Sequence, residues 1–360
     1  MLCIAAFIVL LVLSAVSARY RKLLGKAASC TWRRVTLRPC DTTFRDDLKN
    51  SLLAPLAVRS PRLVKPASIA IEVLAWVMVL SMIVSLYIVG RSGLNLFVYG
   101  TCDKQNAQAC TLSAEVCSVG DGTTPFWDSI LAGNVIGAFG DEFASLGDTF
   151  SAIPSRLRTW EGAAFASASA TYLEGYREGL PVAVEVIDPG CRFCAQLFRN
   201  IEESGLAQTH NVTYLVYPIA SSWGDKFEHS ALIARYLTAI QIHERDAALA
   251  GESTTDWLIL EQIFGGNNAS RDDWQVWFNE TATDGEAVAQ LHTWLSDAGY
   301  DAAGIAEIDD LAASPEVADS LVAVRQSVED DIRTVSIPTM ILDGRLRTGV
   351  VSVDELRAAR

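Results

Sequence analysis

Val182-Ala-Val-Glu-Val-Ile187, Asp188-Pro-Gly190, Cys191-Arg-Phe-Cys194, Ala195-Gln-Leu-Phe-Arg-Asn-Ile201: this run decides how the chain folds. A short β-branched segment, bounded by Pro181 and by the Asp-Pro-Gly turn, reads as a strand. Cys191 then opens a helical pattern that Ser204-Gly205 stops near Glu203. A strand that delivers a C-x-x-C to a helix N-terminus places a thiol where unpaired amides and the helix dipole stabilise its thiolate, the reactive form. The alternatives for such a pair are a structural disulfide or half of a four-cysteine metal site. Residues 181–360 contain no other cysteine, which leaves a metal site without its second pair.

Downstream the pattern continues in a definite order. Asn211–Ile219 reads as a second strand. A mostly helical stretch follows over about 225–334, with Leu232, Ile233, Tyr236, Leu237 and Ile240 at helical spacing and Trp274, Trp277 and Phe278 repeating later. Val335–Leu342 reads as a third strand interrupted by Pro338, Thr348–Val351 as a fourth after the Asp343-Gly344 turn, and 352–360 as a closing helix. Ser352 with Glu355 supplies a capping box for that helix.

This order, β-(CxxC)α-β, a helical insertion, then X-Pro-β-turn-β-α, resembles the thioredoxin superfamily, and the size of the insertion is similar to that of DsbA-type thiol oxidoreductases. The resemblance covers Pro181–Arg360, half of the chain. It implies an α/β, thioredoxin-like fold with a long helical insertion and a redox dithiol needing neither metal nor organic cofactor. Cys191 would be the exposed nucleophile and Cys194 the buried resolving thiol, exchanging with client cysteines through a mixed disulfide. Glu185, six residues before Cys191, stands at the offset of a buried carboxylate that moves the proton of the second thiol; a solvent-facing Glu is the alternative. Ile337-Pro338-Thr339 matches the position of a cis-proline that lies against the dithiol, its neighbours pairing with an extended substrate; a trans proline opening an edge strand is the alternative. Arg192-Phe193 departs from the commoner Pro-His and Gly-Pro dipeptides. A guanidinium beside Cys191 favours its thiolate and makes the disulfide more oxidising, so an oxidase is expected ahead of a reductase.

The rest of the chain suggests where this chemistry happens. Ala67–Val89 is apolar with Glu72 as its one charge, and 67–90 reads as a transmembrane helix. Leu2–Ala18 is uncharged and apolar and reads as another over 1–18; Val16-Ser17-Ala18 also resembles a signal cleavage site. Residues 19–66 between them carry a net +9, and 91–360 a net −22. Basic loops stay inside, so two spans with a cytoplasmic 19–66 loop put the dithiol domain outside the cytoplasm. So acidic a domain is a poor nucleic-acid binder. Its expected partners are cysteine-containing exported proteins and a membrane redox partner.

The juxtamembrane and linker region, 91–180, holds Cys102, Cys110 and Cys117. Two of these are expected to form a structural disulfide, leaving a third that is free, pairs between chains or relays electrons to Cys191. Phe126, Trp127, Phe143, Phe150 and Trp160 recur through 121–180 and are expected to pack on the next domain. His229 could approach the dithiol, but it reads first, like His210, His243 and His292, as a surface or satisfied core residue. A reading of a different class is a non-catalytic membrane scaffold whose CxxC is a structural bridge.

Overall fold

The computed structural model describes residue 62 and residues 64–104, 115–119, 126–221, 224–268 and 273–359. The chain divides into two compact units, Met1–Arg91 and Ser92–Arg360. The first expected span, Leu2–Ala18, and nearly all of the basic loop lie outside the described residues. The second segment belongs to helix α1, Val64–Tyr99, 36 residues long. At 1.5 Å per residue it runs about 54 Å, well beyond a ~30 Å hydrocarbon layer. Among the described residues this is the one helix long and apolar enough to cross a membrane, with Leu80–Tyr99 as its candidate span. The helix continues past residue 90, the expected end of the span. Gly90 and Gly93 each cost a helix about 1 kcal/mol relative to Ala, but no proline stops it. Within the second unit, Leu94, Val98 and Tyr99 pack with Ala152 and Ile153, and the Thr149 hydroxyl donates to Asn95 Oδ1 at 3.1 Å.

After α1 come β1 (Cys117–Ser118), α2 (Phe126–Leu131) and α3 (Val135–Leu157). Then follow β2 (Val182–Ile187), α4 (Arg192–Ser204) and β3 (Asn211–Val216). A small hairpin, β4 (Ala220–Ser221) with β5 (Gly224–Asp225), precedes the helical insertion: α5 (Ser230–His243), α6 (Arg245–Leu249), α7 (Thr255–Gly265), α8 (Trp274–Glu280), α9 (Asp284–Asp297), α10 (Ala302–Ala312) and α11 (Pro315–Gln326). A π-helical turn at Ser327–Ile332 leads to β6 (Ser336–Ile337), β7 (Thr339–Leu342), β8 (Arg345–Thr348) and α12 (Val353–Arg357).

The central sheet has four strands in the order β3-β2-β7-β8. β2 runs parallel to β3 and antiparallel to β7, so it is interior to the sheet, and all of its residues except Val182 are buried. That accounts for a nearly continuous apolar strand rather than an alternating one. Helix α4 turns Phe193, Cys194, Leu197, Phe198 and Ile201 inward at helical spacing, and packs against α7 and α12. Gly205, at φ 70°, ends it in the left-handed conformation that glycine adopts without a Cβ penalty. Helices α5 and α11 pack against β3.

Some expectations shift. The third strand is two elements, because Pro338 separates β6, which pairs with β1, from β7, which joins the central sheet. The fourth strand is Arg345–Thr348 rather than Thr348–Val351: the tight Asp343-Gly344 turn starts it at once, with Leu342 opposite Arg345. Of the linker aromatics, Trp160 enters the main core, while Phe143 and Phe150 stay 70% and 59% exposed.

Candidate dithiol site

The cysteine pair is held by the turn before it. The buried Asp188 carboxylate accepts the Gly190 N–H at 2.8 Å with one oxygen and the Ile219 N–H at 2.7 Å with the other, and it also accepts the Ser230 hydroxyl. The Cys191 N–H donates to the Asp188 carbonyl at 3.0 Å. Helix α8 holds the other carbonyls of the turn: Gln275 Nε2 donates to Pro189 O at 2.7 Å, and Asn279 Nδ2 to Gly190 O at 2.9 Å. These two residues lie one helical turn apart, on a helix seated by edge-to-face rings, Trp274 against Trp277 and Trp294 at 5.3 and 5.2 Å. The aromatic part of the insertion thus braces the approach to Cys191. Gly190 has no room for a side chain, since a Cβ there would lie 2.3 Å from Phe227 Cβ.

Cys191 is the N-cap residue of α4 and is fully buried. The expectation of an exposed Cys191 does not describe this state, because Cys191 is bonded to Cys117, 74 residues earlier, and the Cys194 thiol is free and buried. Cys117 is therefore no part of a clip with Cys102 or Cys110. Cys102 is itself disulfide-bonded, and Cys110 lies outside the described residues.

The bridge is one element of a docked segment. Residues 115–119 lie extended beside the loop that carries Pro338, with Cys117 opposite Ile337 and Ser118 opposite Ser336 in antiparallel register. The Val119 N–H donates to Val335 O at 3.0 Å, the Val350 N–H to Glu115 O at 3.3 Å, and Lys226 Nζ to Ser118 O at 2.9 Å. Val116 is fully buried over Gly349, where a Cβ would come within 3.1 Å of Val116 Cγ1. The Ile337–Pro338 peptide bond is cis. Cys191 Sγ lies 3.8 Å from the Ile337 carbonyl oxygen. Thr339 and Thr334 fix the loop from within: both hydroxyls reach Ser336 O, at 2.6 and 2.8 Å.

On the inner side, the Asp188 N–H donates to Cys194 Sγ at 3.4 Å. Burial pushes the Cys194 thiol well above its ordinary range, and the nearby Asp188 and Glu185 carboxyls raise it further against the lowering effect of that N–H. Glu185 sits on β2 opposite Tyr214 and Met340, fully buried, with neither carboxyl oxygen hydrogen-bonded. Desolvation pushes its carboxyl up to about 8. Beyond it, Tyr214 donates to Asp256 Oδ2 at 2.7 Å, an oxygen that also accepts Thr171 at 2.6 Å. Arg192 points out to solvent, its guanidinium 4.8 Å from the centre of the Phe193 ring. His229 is spent elsewhere: Nδ1 is 2.6 Å from Phe278 O and Nε2 is 3.2 Å from Asp284 Oδ1.

The structure thus gathers Cys191, Cys194, Glu185, Ile337, Pro338 and Thr339 around one point. Sequence reasoning missed Asp188, Gln275, Asn279 and Lys226. The expected clip between two of Cys102, Cys110 and Cys117 leaves a relay to Cys191 as one role for the third, and the bond to Cys191 falls to Cys117.

No protein-family model matches the chain, and no curated protein matches it. Among solved structures, it is similar to a thioredoxin-like oxidoreductase from Silicibacter pomeroyi at 17% identity and a TM-score of 0.36, over 54% of this chain and 91% of that one. It is also similar to the thiol-disulfide exchange protein alpha-DsbA2 from Wolbachia pipientis, at 16% identity and 0.36, over 53% and 85%. A third is ScsC from Proteus mirabilis, at 12% identity and 0.37, over 66% and 96%. At such identities and scores these likenesses carry none of the chemistry, which rests on this chain's own residues. The β3-β2-β7-β8 sheet, the cysteine pair at the start of α4 and the proline-led β7 follow, from Val182 onward, the order of elements expected from the sequence.

Proposed function

We propose that the chain is a membrane-anchored thiol–disulfide oxidoreductase, held by spans near its N-terminus, with its dithiol domain outside the cytoplasm and working as an oxidase of cysteines in exported proteins. The observation that carries this reading is the asymmetry of the pair: Cys191 at the N-terminus of α4, beside a backbone edge able to pair with an extended peptide, and Cys194 buried near an unbonded Glu185 carboxyl. In the forward direction a client thiolate attacks Cys191 of a Cys191–Cys194 disulfide, and Cys194 leaves. The second client thiolate then attacks the mixed disulfide, the client gains its disulfide, and both enzyme cysteines end reduced. Glu185, whose carboxyl titrates up near about 8, holds or releases the Cys194 proton. A membrane redox partner would reoxidise the pair.

A non-catalytic membrane scaffold is the second reading. It draws support from the burial of both residues of the Cys117–Cys191 bridge. Oxidation of a reduced two-cysteine peptide by the full-length chain in detergent separates the two, together with the reduction potential in glutathione buffers. An oxidase is expected near −120 mV, roughly, and a reductase near about −270 mV. Cys191→Ser should abolish turnover while leaving the fold intact. A site that stays oxidised below about −300 mV, with no peptide oxidised, would establish the scaffold.

A further inference from the structure

We propose that Cys117 is a third redox cysteine of this site: residues 115–119 form a tethered occupant of the client groove, and Cys117 holds Cys191 as an internal mixed disulfide. This deepens the oxidoreductase reading and rests on it. Three independent features point the same way. The segment is extended and pairs antiparallel with Ser336–Ile337, as a peptide adding to a strand edge does. Its contacts are those a captured peptide would make: a buried side chain in a small recess (Val116 over Gly349), a cysteine on Cys191, and a following carbonyl held by Lys226. The free Cys194 thiol sits in the same C-x-x-C, one helical turn from the bonded sulfur, where a resolving thiol must be.

The exchange is redox-neutral and consumes no outside oxidant or reductant. Cys194, as the thiolate, attacks Cys191 Sγ. The Cys191–Cys194 bond forms as the Cys117–Cys191 bond breaks, and the electron pair leaves on Cys117 Sγ, which takes a proton from water. The Cys194 proton goes to Glu185 in its ionised form. One disulfide and one thiol exist before and after. Release of 115–119 clears the edge at Ser336–Ile337 for a client, and attack by the Cys117 thiolate on the Cys191–Cys194 disulfide closes it again. Clients therefore compete with an internal peptide. Their recognition should follow its pattern, with an apolar residue before the cysteine and a small one after it, as in Val116-Cys117-Ser118.

The test maps disulfides in the oxidised full-length chain by non-reducing digestion and mass spectrometry, alongside peptide oxidation. Both the Cys117–Cys191 and Cys191–Cys194 bridges are expected in the wild type, and Cys117–Cys191 without the second in Cys194→Ser. Val116→Asp keeps every cysteine but disfavours docking. It should move the ratio toward Cys191–Cys194 by about tenfold or more, the scale of a buried valine, and speed peptide oxidation in step. A wild type holding Cys191–Cys194 alone overturns the proposal, as does a Cys117–Cys191 bridge that never gives way to Cys191–Cys194 when catalytic amounts of thiol are added. If the bridge is absent and the peptide is still oxidised, the proposal falls and the enzymatic reading stands. Exchange between the two bridges with no peptide oxidised upholds the exchange and overturns the enzymatic reading.

Discussion

Cys191 and Cys194 are three residues apart, yet their surroundings have little in common. Around Cys191 the contacts are made by backbone: the turn of 188–190, the carbonyl of Ile337, and the strand-like pairing of 115–119. Both sulfurs are closed off from solvent, but around Cys194 the neighbours are one weak N–H donor and a carboxyl with no hydrogen-bond partner. Backbone contacts of the first kind accept many sequences and can be exchanged for those of another peptide. A buried site of the second kind works by setting where a proton resides. The helix N-terminus contributes to both sulfurs, so the difference between them comes from what the rest of the fold places beside each.

The comparison breaks most severely at the turn the two sulfurs share. Asp188→Ala removes the acceptor for Ile219 and Ser230 and leaves the Gly190 N–H only Ser230 Oγ, at 3.1 Å. With each stranded buried donor costing about 1–3 kcal/mol, a loss of roughly 3–5 kcal/mol is expected in urea unfolding. A loss under about 1 kcal/mol would mean that the bridge to Cys117, rather than the turn, holds Cys191 in place. Gly190→Ala comes next. The new methyl must displace Phe227, at an expected cost of about 1–3 kcal/mol, and it should slow alkylation of reduced Cys191 more than it alters the titration of Cys194. Equal effects at both sulfurs would erase the distinction.

Glu185→Gln sharpens the inner half. The folded chain holds the Glu185 proton up to about 8, against an ordinary value of 4.5. Its contribution to stability is full below that ordinary value and is lost as pH rises through about 8. Wild type should therefore weaken relative to Glu185→Gln between about pH 5 and pH 9, by a few kcal/mol at ~1.4 kcal/mol per pKa unit. Parallel stability curves for the two proteins would show that the carboxyl is hydrated. The smallest effect is expected at Arg192→Ala. Its guanidinium faces solvent over the Phe193 ring, a contact worth about 0.5–1 kcal/mol, so its loss should leave stability within that range and shift the reduction potential only slightly. A large shift would restore Arg192 as the residue that tunes the outer sulfur.

Much of this arrangement could be read from the residues. The β2–α4 unit announces itself because Pro181, the Asp-Pro-Gly turn and Gly205 punctuate it, and because an interior strand must be apolar on both faces. The insertion helices show their periodicity, and Ser352 with Glu355 forms the capping box its spacing suggests. What stayed hidden depends on distant partners. Asp188 looks like an ordinary turn former until Ser230 and Ile219 are brought to its two oxygens. Gln275 and Asn279 are unremarkable helix residues until α8 lies along the turn. Phe143 and Phe150 sit on an amphipathic helix whose apolar face the described residues leave uncovered. Cys117 gave the weakest signal, because a two-residue strand has no period to detect and its bond crosses most of the linker.

That span has a consequence for the unfolded chain. A Cys117–Cys191 bridge closes a loop across 74 positions, whereas a Cys191–Cys194 bridge closes one of three positions. Loop-closure entropy makes the longer ring restrict the denatured ensemble more, by roughly 3 kcal/mol. Moving one sulfur–sulfur bond by three residues thus changes the topology of the chain: in one form the polypeptide between β1 and α4 is a ring, in the other an open strand. Heat or force applied to the two forms would meet different molecules, although their compositions and oxidation levels are identical.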